Sequence, residues 1–171
     1  EAIKTLISEL QASGKACHIM GLVSDGGVHA HMDHIIGLAN IMGASGVKTH
    51  IHGFTDGRDC APESGKAFIE TVVESVGDNV SLSTLCGRYF AMDRDKRWER
   101  VQKAYDAVVN AKGTPSTDAS AAMQASYDAG VTDEFVEPVI LNGYEGLQEG
   151  DAIIFANFRN DRARELLQAL Q

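Results

Sequence analysis

Arginine is confined to three short segments of this 171-residue chain: Arg58 in TDGRD, Arg88, Arg94, Arg97 and Arg100 in GRYFAMDRDKRWER, and Arg159, Arg162 and Arg164 in NFRNDRARE. The seven lysines are mostly scattered elsewhere. A guanidinium presents a planar five-donor fork that grips carboxylates and phosphates bidentately, whereas an ammonium is a flexible point charge. Sorting cations by type in this way predicts a site for a small, multiply charged anion.

Other groups in these segments refine the chemistry. In SDGGVHAH, Ser24, Asp25, Gly26 and Gly27 read as a tight turn that opens a helix and leaves backbone N–H groups free to face an anion. His29 lies in that loop, where it can donate to an anion or shuttle a proton. TDGRD offers Arg58 beside the carboxylate Asp59, while Asp56 reads as the shaper of an Asp-Gly turn. Arg88 and Arg94 flank a loop. Arg97 and Arg100 continue into a helix, where pairing with Asp93, Asp95 or Glu99 is expected and Trp98 is expected to face the core. Arg159 and Arg162, three apart, read as neighbours on the first turn of a helix, with Arg164 pointing elsewhere. The histidines admit two readings: metal ligands drawn from His29, His31, His34, His50 and His52, or, for His18, His50 and His52, strand side chains with satisfied hydrogen bonds.

Apolar runs alternate with amphipathic stretches around these clusters, in a βαβ rhythm. Strands are expected at 17–23, 49–55, 80–86, 136–141 and 152–158. Helices are expected at 31–42, from Pro62 onward, through Trp98, Val101, Tyr105 and Val108, and at 118–127. A turn is expected at 113–116, and 111–135 is the loosest stretch, a place for a flap. The pattern predicts an α/β fold, a three-layer α/β/α arrangement with a mainly parallel central sheet. Ligands bind such folds beyond the carboxyl ends of the strands. The four polar clusters each begin where an expected strand ends, so they should meet on one edge.

Composition excludes several alternatives. With 24 acids against 15 bases and 6% aromatic residues, the chain has neither the charge nor the stacking surface of a nucleic-acid reader. Cys17, Cys60 and Cys86 are far apart and odd in number, which argues against a disulfide framework and for a reducing cytoplasm. No apolar run approaches the roughly 20 residues that span a bilayer, so no membrane partner is expected. The length suits one domain. Both ends fall inside helical patterns, as expected of a domain cut from a longer protein.

GLVSDGGVHAHMDH, TDGRDCAPES, GRYFAMDRDKRWER and IFANFRNDRARE together resemble, in order and across almost the whole chain, the signatures of the cofactor-independent (2,3-bisphosphoglycerate-independent) phosphoglycerate mutases. The resemblance is to their substrate-binding or phosphotransferase domain. It implies that residues 1–171 form that single domain, with a missing alkaline-phosphatase-like domain that carries two manganese ions and a serine nucleophile. It implies substrate binding by His29, Arg58, Asp59, Arg88, Arg94, Arg159 and Arg162, and interconversion of 3-phosphoglycerate and 2-phosphoglycerate through a phosphoserine. Asp59 would be catalytic, exchanging the proton with glycerate hydroxyls. No metal site is implied in this chain, which alone should be inactive. Ala30 departs from the Ser more usual between the two histidines. Two other readings stay open on the residues alone: a noncatalytic phosphometabolite-binding module, and a self-contained histidine-metal hydrolase.

Overall fold

The structure is a computed structural model and describes residues 1–171. Its elements run α1 (Ala2–Ser13), β1 (Cys17–Val23), α2 (Met32–Ala44), β2 (Thr49–Thr55), α3 (Gly65–Ser75), β3 (Val80–Gly87), α4 (Arg88–Ala91), α5 (Trp98–Asn110), β4 (Thr114–Ser116), α6 (Ala119–Asp128), a 3-10 turn (Asp133–Phe135), β5 (Val139–Leu141), β6 (Ala152–Phe155) and α7 (Arg164–Ala169). They build one six-stranded sheet in the order β4-β5-β3-β2-β1-β6. β3, β2, β1 and β6 are mutually parallel, whereas β5 runs antiparallel to β3 and parallel to β4. The expected mainly parallel α/β/α fold is the fold observed.

Alternation along the strands divides the core into two layers. Cys17, Ile19 and Val23 of β1 point to the face that packs Leu10 of α1, Ile35 and Ala39 of α2, Ile69 and Val72 of α3 and Met123 of α6. Met20 and Leu22 point the other way, onto Phe90 of α4, Val101, Ala104 and Val108 of α5 and Leu166 of α7. β1 is buried along its whole length, as a strand covered by helices on both sides must be.

Several expected boundaries move, for local reasons. α3 begins at Gly65, not Pro62, because residues 61–64 close a turn in which the Ser64 hydroxyl donates to the Ala61 carbonyl at 2.7 Å. Its first amide, Gly65, is satisfied from a distance by Asp133 at 2.7 Å. The stretch 111–135 holds β4, α6 and the 3-10 turn; the expected turn at 113–116 is an edge strand, where Pro115 is tolerated. β6 stops at Phe155 because beyond it the Asn157 side chain accepts from the Leu22 amide at 3.0 Å, replacing the backbone ladder. α7 starts only at Arg164, so Arg159 and Arg162 do not share a first helical turn. Trp98 is half-exposed, one turn ahead of the packed stripe that begins at Val101, and does not face the core.

A polar row interrupts the second layer. His18, His50 and His52 stack with ring centroids 5.0 and 5.2 Å apart, closed on one side by Tyr144. The chain of contacts runs Asp151 to His18 (3.0 Å), His18 to His52 (2.9 Å) and His52 to Thr84 (2.8 Å), with His50 on Ser83 at 2.7 Å. These are satisfied strand histidines. Burial and the neighbouring His18 and Lys48 charges push His50 down to about 4, against the opposing pull of Asp151; burial likewise pushes His18 and His52 down. A folded-state value below the unfolded one means full stability above the ordinary histidine range, lost as pH falls from about 6.5 toward the folded value. Unfolding free energy is therefore expected to drop between pH 6.5 and about 4, with the melting temperature following it, and His50→Gln to flatten that drop by on the order of 2 to 3 kcal/mol. Thermal melts of both proteins across that window check it; an unchanged slope contradicts it.

Candidate anion-binding site

Because β3, β2, β1 and β6 are adjacent and parallel, their carboxyl ends lie along one edge. The segments that leave them are those that begin at Ser24, Asp56, Arg88 and Ala156. The foundation is Asp56. Its side chain is 1% exposed and its carboxylate accepts from the Ser24 hydroxyl (2.6 Å), the Arg58 and Asp59 amides (3.0 Å each) and Arg88 Nη1 (2.7 Å). Burial works against the ionised form, but these donors outweigh it and hold Asp56 below the usual carboxylate range. The turn itself needs Gly57, whose φ of 69° is left-handed and whose missing side chain leaves room for the Glu134 amide.

Arg88 Nη1 is shared between Asp56 and Asp59, at 2.7 and 2.8 Å. Burial alone would ease its proton off, and the two carboxylates reverse that, raising the guanidinium above its ordinary value. Only Nη1 is engaged by protein, so the rest of the fork is available to a ligand. Asp59 is fixed from a third side by Gly26: a Cβ there would lie 2.9 Å from the Asp59 Cβ and carbonyl oxygen.

Arg58, Arg88, Arg94 and Arg162 line a cleft of about 240 Å³, together with Arg97 and Arg100. Hollows of about 510 and 580 Å³ elsewhere on the molecule contain no arginine. Arg97 pairs with Asp95 at 2.8 Å and Arg100 lies 3.7 Å over the Tyr89 ring, as well as 3.7 Å from Asp93, so both are committed to internal partners as expected. Arg58 has a looser partner, Glu134, at 3.6 Å. Arg162 has no carboxylate partner; it donates to the Met92 carbonyl at 3.1 Å and its Nε is buried without an acceptor. Burial, then Arg94, Arg88 and Arg58, lower its pKa, the mark of an excess of positive charge converging on the cleft.

His29, Asp59 and Arg159 adjoin the cleft rather than line it. The Arg159 amide donates to the His29 carbonyl at 3.2 Å, tying the exit of β6 to the exit of β1. Asp161 joins Arg159, Arg94 and, at 3.6 Å, the buried His29 Nδ1. Burial, then Arg88, lower the pKa of His29, against the opposing pull of Asp161 and Asp59. All seven expected residues thus gather at one edge, although Arg159 and Arg162 do so through separate contacts. Sequence reasoning assigned Asp56 only to its turn and overlooked Asp161. The adjacency of Asp161 to both arginines in RNDR was the available signal for the latter.

No three His, Cys, Asp or Glu side chains are arranged to hold a metal: His18 and His52 are bonded to each other, His50 to Ser83, and Asp56 and Asp59 to Arg88. Burial raises the Cys17 thiol to about 11 and the Cys86 thiol further, so neither is an activated nucleophile. No helix is long and apolar enough to cross a membrane.

Comparison with known proteins gives the chain's family and fold relatives. Residues 1–171 match the family model described as BPG-independent PGAM N-terminus. The 2,3-bisphosphoglycerate-independent phosphoglycerate mutase of Gluconobacter oxydans is 51% identical over 169 residues, 99% of this chain and 33% of that protein. That of Rhodopseudomonas palustris is 49% identical over 96% of this chain and 32% of its own length. The crystal structure of Leishmania mexicana phosphoglycerate mutase at low cobalt concentration superposes with a TM-score of 0.88 at 29% identity, over 98% of this chain and 34% of that one. The chain thus spans about a third of the length of these relatives.

Removing the buried partner of Arg88 should be far more damaging than removing a rim partner. Asp56→Ala is expected to lower stability by about 3 to 5 kcal/mol, because it strands a buried charge, and Asp95→Ala by less than about 1 kcal/mol. Urea unfolding of the two variants tests the contrast; equal losses would remove Asp56 from its place as the foundation.

Proposed function

The chain belongs to the family of 2,3-bisphosphoglycerate-independent phosphoglycerate mutases, matching its N-terminal domain, and from that premise we propose that it is the substrate-binding domain of an enzyme interconverting 3-phosphoglycerate and 2-phosphoglycerate. The observation that carries the reading is the convergence of Arg58, Arg88, Arg94 and Arg162 on one cleft, where Arg162 has no carboxylate partner and Arg58 only a loose one. A phosphoglycerate brings a carboxylate and a phosphoryl group, two anions on a three-carbon frame, which suit guanidinium forks. In this reading His29, Arg58, Arg88, Arg94, Arg159 and Arg162 hold those groups and offset charge as it develops in transfer.

Asp59 is the proton-exchanging group of the proposal. Its Oδ2 is fixed by Arg88 at 2.8 Å, while its Oδ1 has no protein hydrogen-bond partner and can meet a glycerate hydroxyl. The serine that takes the phosphoryl group is assigned to the remaining two thirds of the enzyme. So are its metals, proposed as two manganese ions, which would supply Lewis-acid chemistry there; the side chains of this chain do not form such a centre. Residues 1–171 accordingly act as one domain that presents and reorients glycerate and has no turnover by itself. Three unpaired cysteines support a reducing cytoplasm as its compartment.

In the intact enzyme, Asp59→Asn is expected to lower kcat by about 10² to 10⁴ with nearly unchanged KM, the range for loss of a general acid-base group. Steady-state kinetics with a parallel thermal melt check it. Wild-type turnover, or a loss explained by a lower melting temperature, removes Asp59 from the mechanism. Arg162→Ala should instead raise KM, while Lys112→Ala, beyond the C-terminal end of α5, should change neither constant.

A further inference from the structure

The carboxylate of Asp161 stands where a ligand anion would stand. Its Oδ2 accepts from Arg159 Nη2 at 3.1 Å, and Arg159 Nε stands 3.0 Å from its Oδ1 as an ion-pair contact without a hydrogen bond. The same Oδ2 accepts from Arg94 Nη1 at 3.1 Å. On the inner side, His29 Nδ1 lies 3.6 Å from Oδ1, and both atoms are buried without a hydrogen bond. Two arginines from different segments and one histidine thus converge on a single carboxylate that does not satisfy all of them.

Asp56 provides the contrast that decides what Asp161 is for. Both carboxylates engage arginines of the site, but Asp56 is 1% exposed and Asp161 is 31% exposed, with Arg94 and Arg159 nearly half exposed. Breaking a buried pair costs about 3 to 5 kcal/mol, which makes Asp56 permanent. An exposed pair is worth only about 0 to 1 kcal/mol, which a dianion entering the site can exceed. Asp161 also sits between β6 and α7 in a segment without regular structure, free to swing without breaking a ladder.

We propose that Asp161 is an internal placeholder for the substrate's phosphoryl group: it occupies the Arg94–Arg159 fork beside His29 in the empty site and is displaced when a phosphoryl dianion arrives. This deepens the reading of the site as one for phosphoglycerate and rests on it for the substrate's identity, though not for its charge. The placeholder keeps the fork assembled without ligand and sets a threshold that favours a dianion over singly charged acids.

The test is calorimetric titration of the 171-residue chain and its Asp161→Asn variant with inorganic phosphate and, separately, with 3-phosphoglycerate. Removing the competing charge is expected to tighten phosphate binding by about three- to tenfold, the equivalent of one or two exposed ion pairs. Unchanged or weaker phosphate binding in a folded variant overturns the proposal, since Asp161 would then only shape its loop. The wild-type chain gives an independent readout by carboxyl-carbon NMR. Arg94 and Arg159 overcome burial and hold Asp161 below the usual carboxylate range, so its titration should move upward when phosphate is bound; a fixed midpoint overturns the proposal even if the variant fails to fold. Phosphoglycerate binding no tighter than phosphate in either protein would count against the substrate reading while leaving the phosphate result to judge Asp161.

Discussion

A guanidinium buried at the end of a central strand cannot stand alone, because a lone charge removed from water costs several kcal/mol. Arg88 occupies that position, and the architecture of the site follows from how its charge is met. Asp56, at the end of the neighbouring strand β2, supplies the compensating carboxylate, and Ser24 at the end of β1 holds that carboxylate in turn. One shared ion therefore fixes the relative position of three strand-exit loops. Asp59, brought in through the same Arg88 nitrogen, is aligned as a consequence.

Around this fixed centre the remaining charges form a gradient of commitment. Arg97 and Arg100 are held by Asp93, Asp95 and the Tyr89 ring; Arg94 and Arg159 share Asp161 at the surface; Arg162 has no acid at all. The inner members give rigidity and the outer members remain available, a division suited to binding an anion and then releasing it. Nothing comparable occurs at the opposite edge of the sheet, where His50, Lys15 and Lys48 face Asp151 in a hollow without arginine.

Most of the fold was legible because parallel strands and their helices write simple periodicities. The strands β1, β2 and β3 fall within a residue of where the apolar pattern puts them, α2 within two, and α5 carries the four residues expected of it. The errors arise where a long-range contact overrides local pattern. Asn157 ends β6 by lending its side chain to Leu22, Asp133 caps α3 from nearly seventy residues away, and the bond from Arg159 to His29 accompanies a segment 157–163 that stays out of the helix expected to begin at Arg159 and Arg162. The site was legible in its members, since arginine is sorted so sharply along the chain. Its internal order was not: Asp56 reads locally as a turn residue, and only burial shows that it anchors Arg88. Family membership adds what no residue of this chain supplies, namely relatives about three times as long.

The central claim is that the carboxyl edge of β3, β2, β1 and β6 is where phosphoglycerate binds. It is tested most directly by titrating the isotope-labelled chain with 3-phosphoglycerate and following each backbone amide by NMR. The account predicts saturable shifts concentrated in residues 24–31, 56–60, 88–97 and 157–163, with the loops at the opposite edge, around Lys15, Lys48 and Gly143, unmoved. Shifts centred on that opposite edge, or none at millimolar ligand, would contradict it.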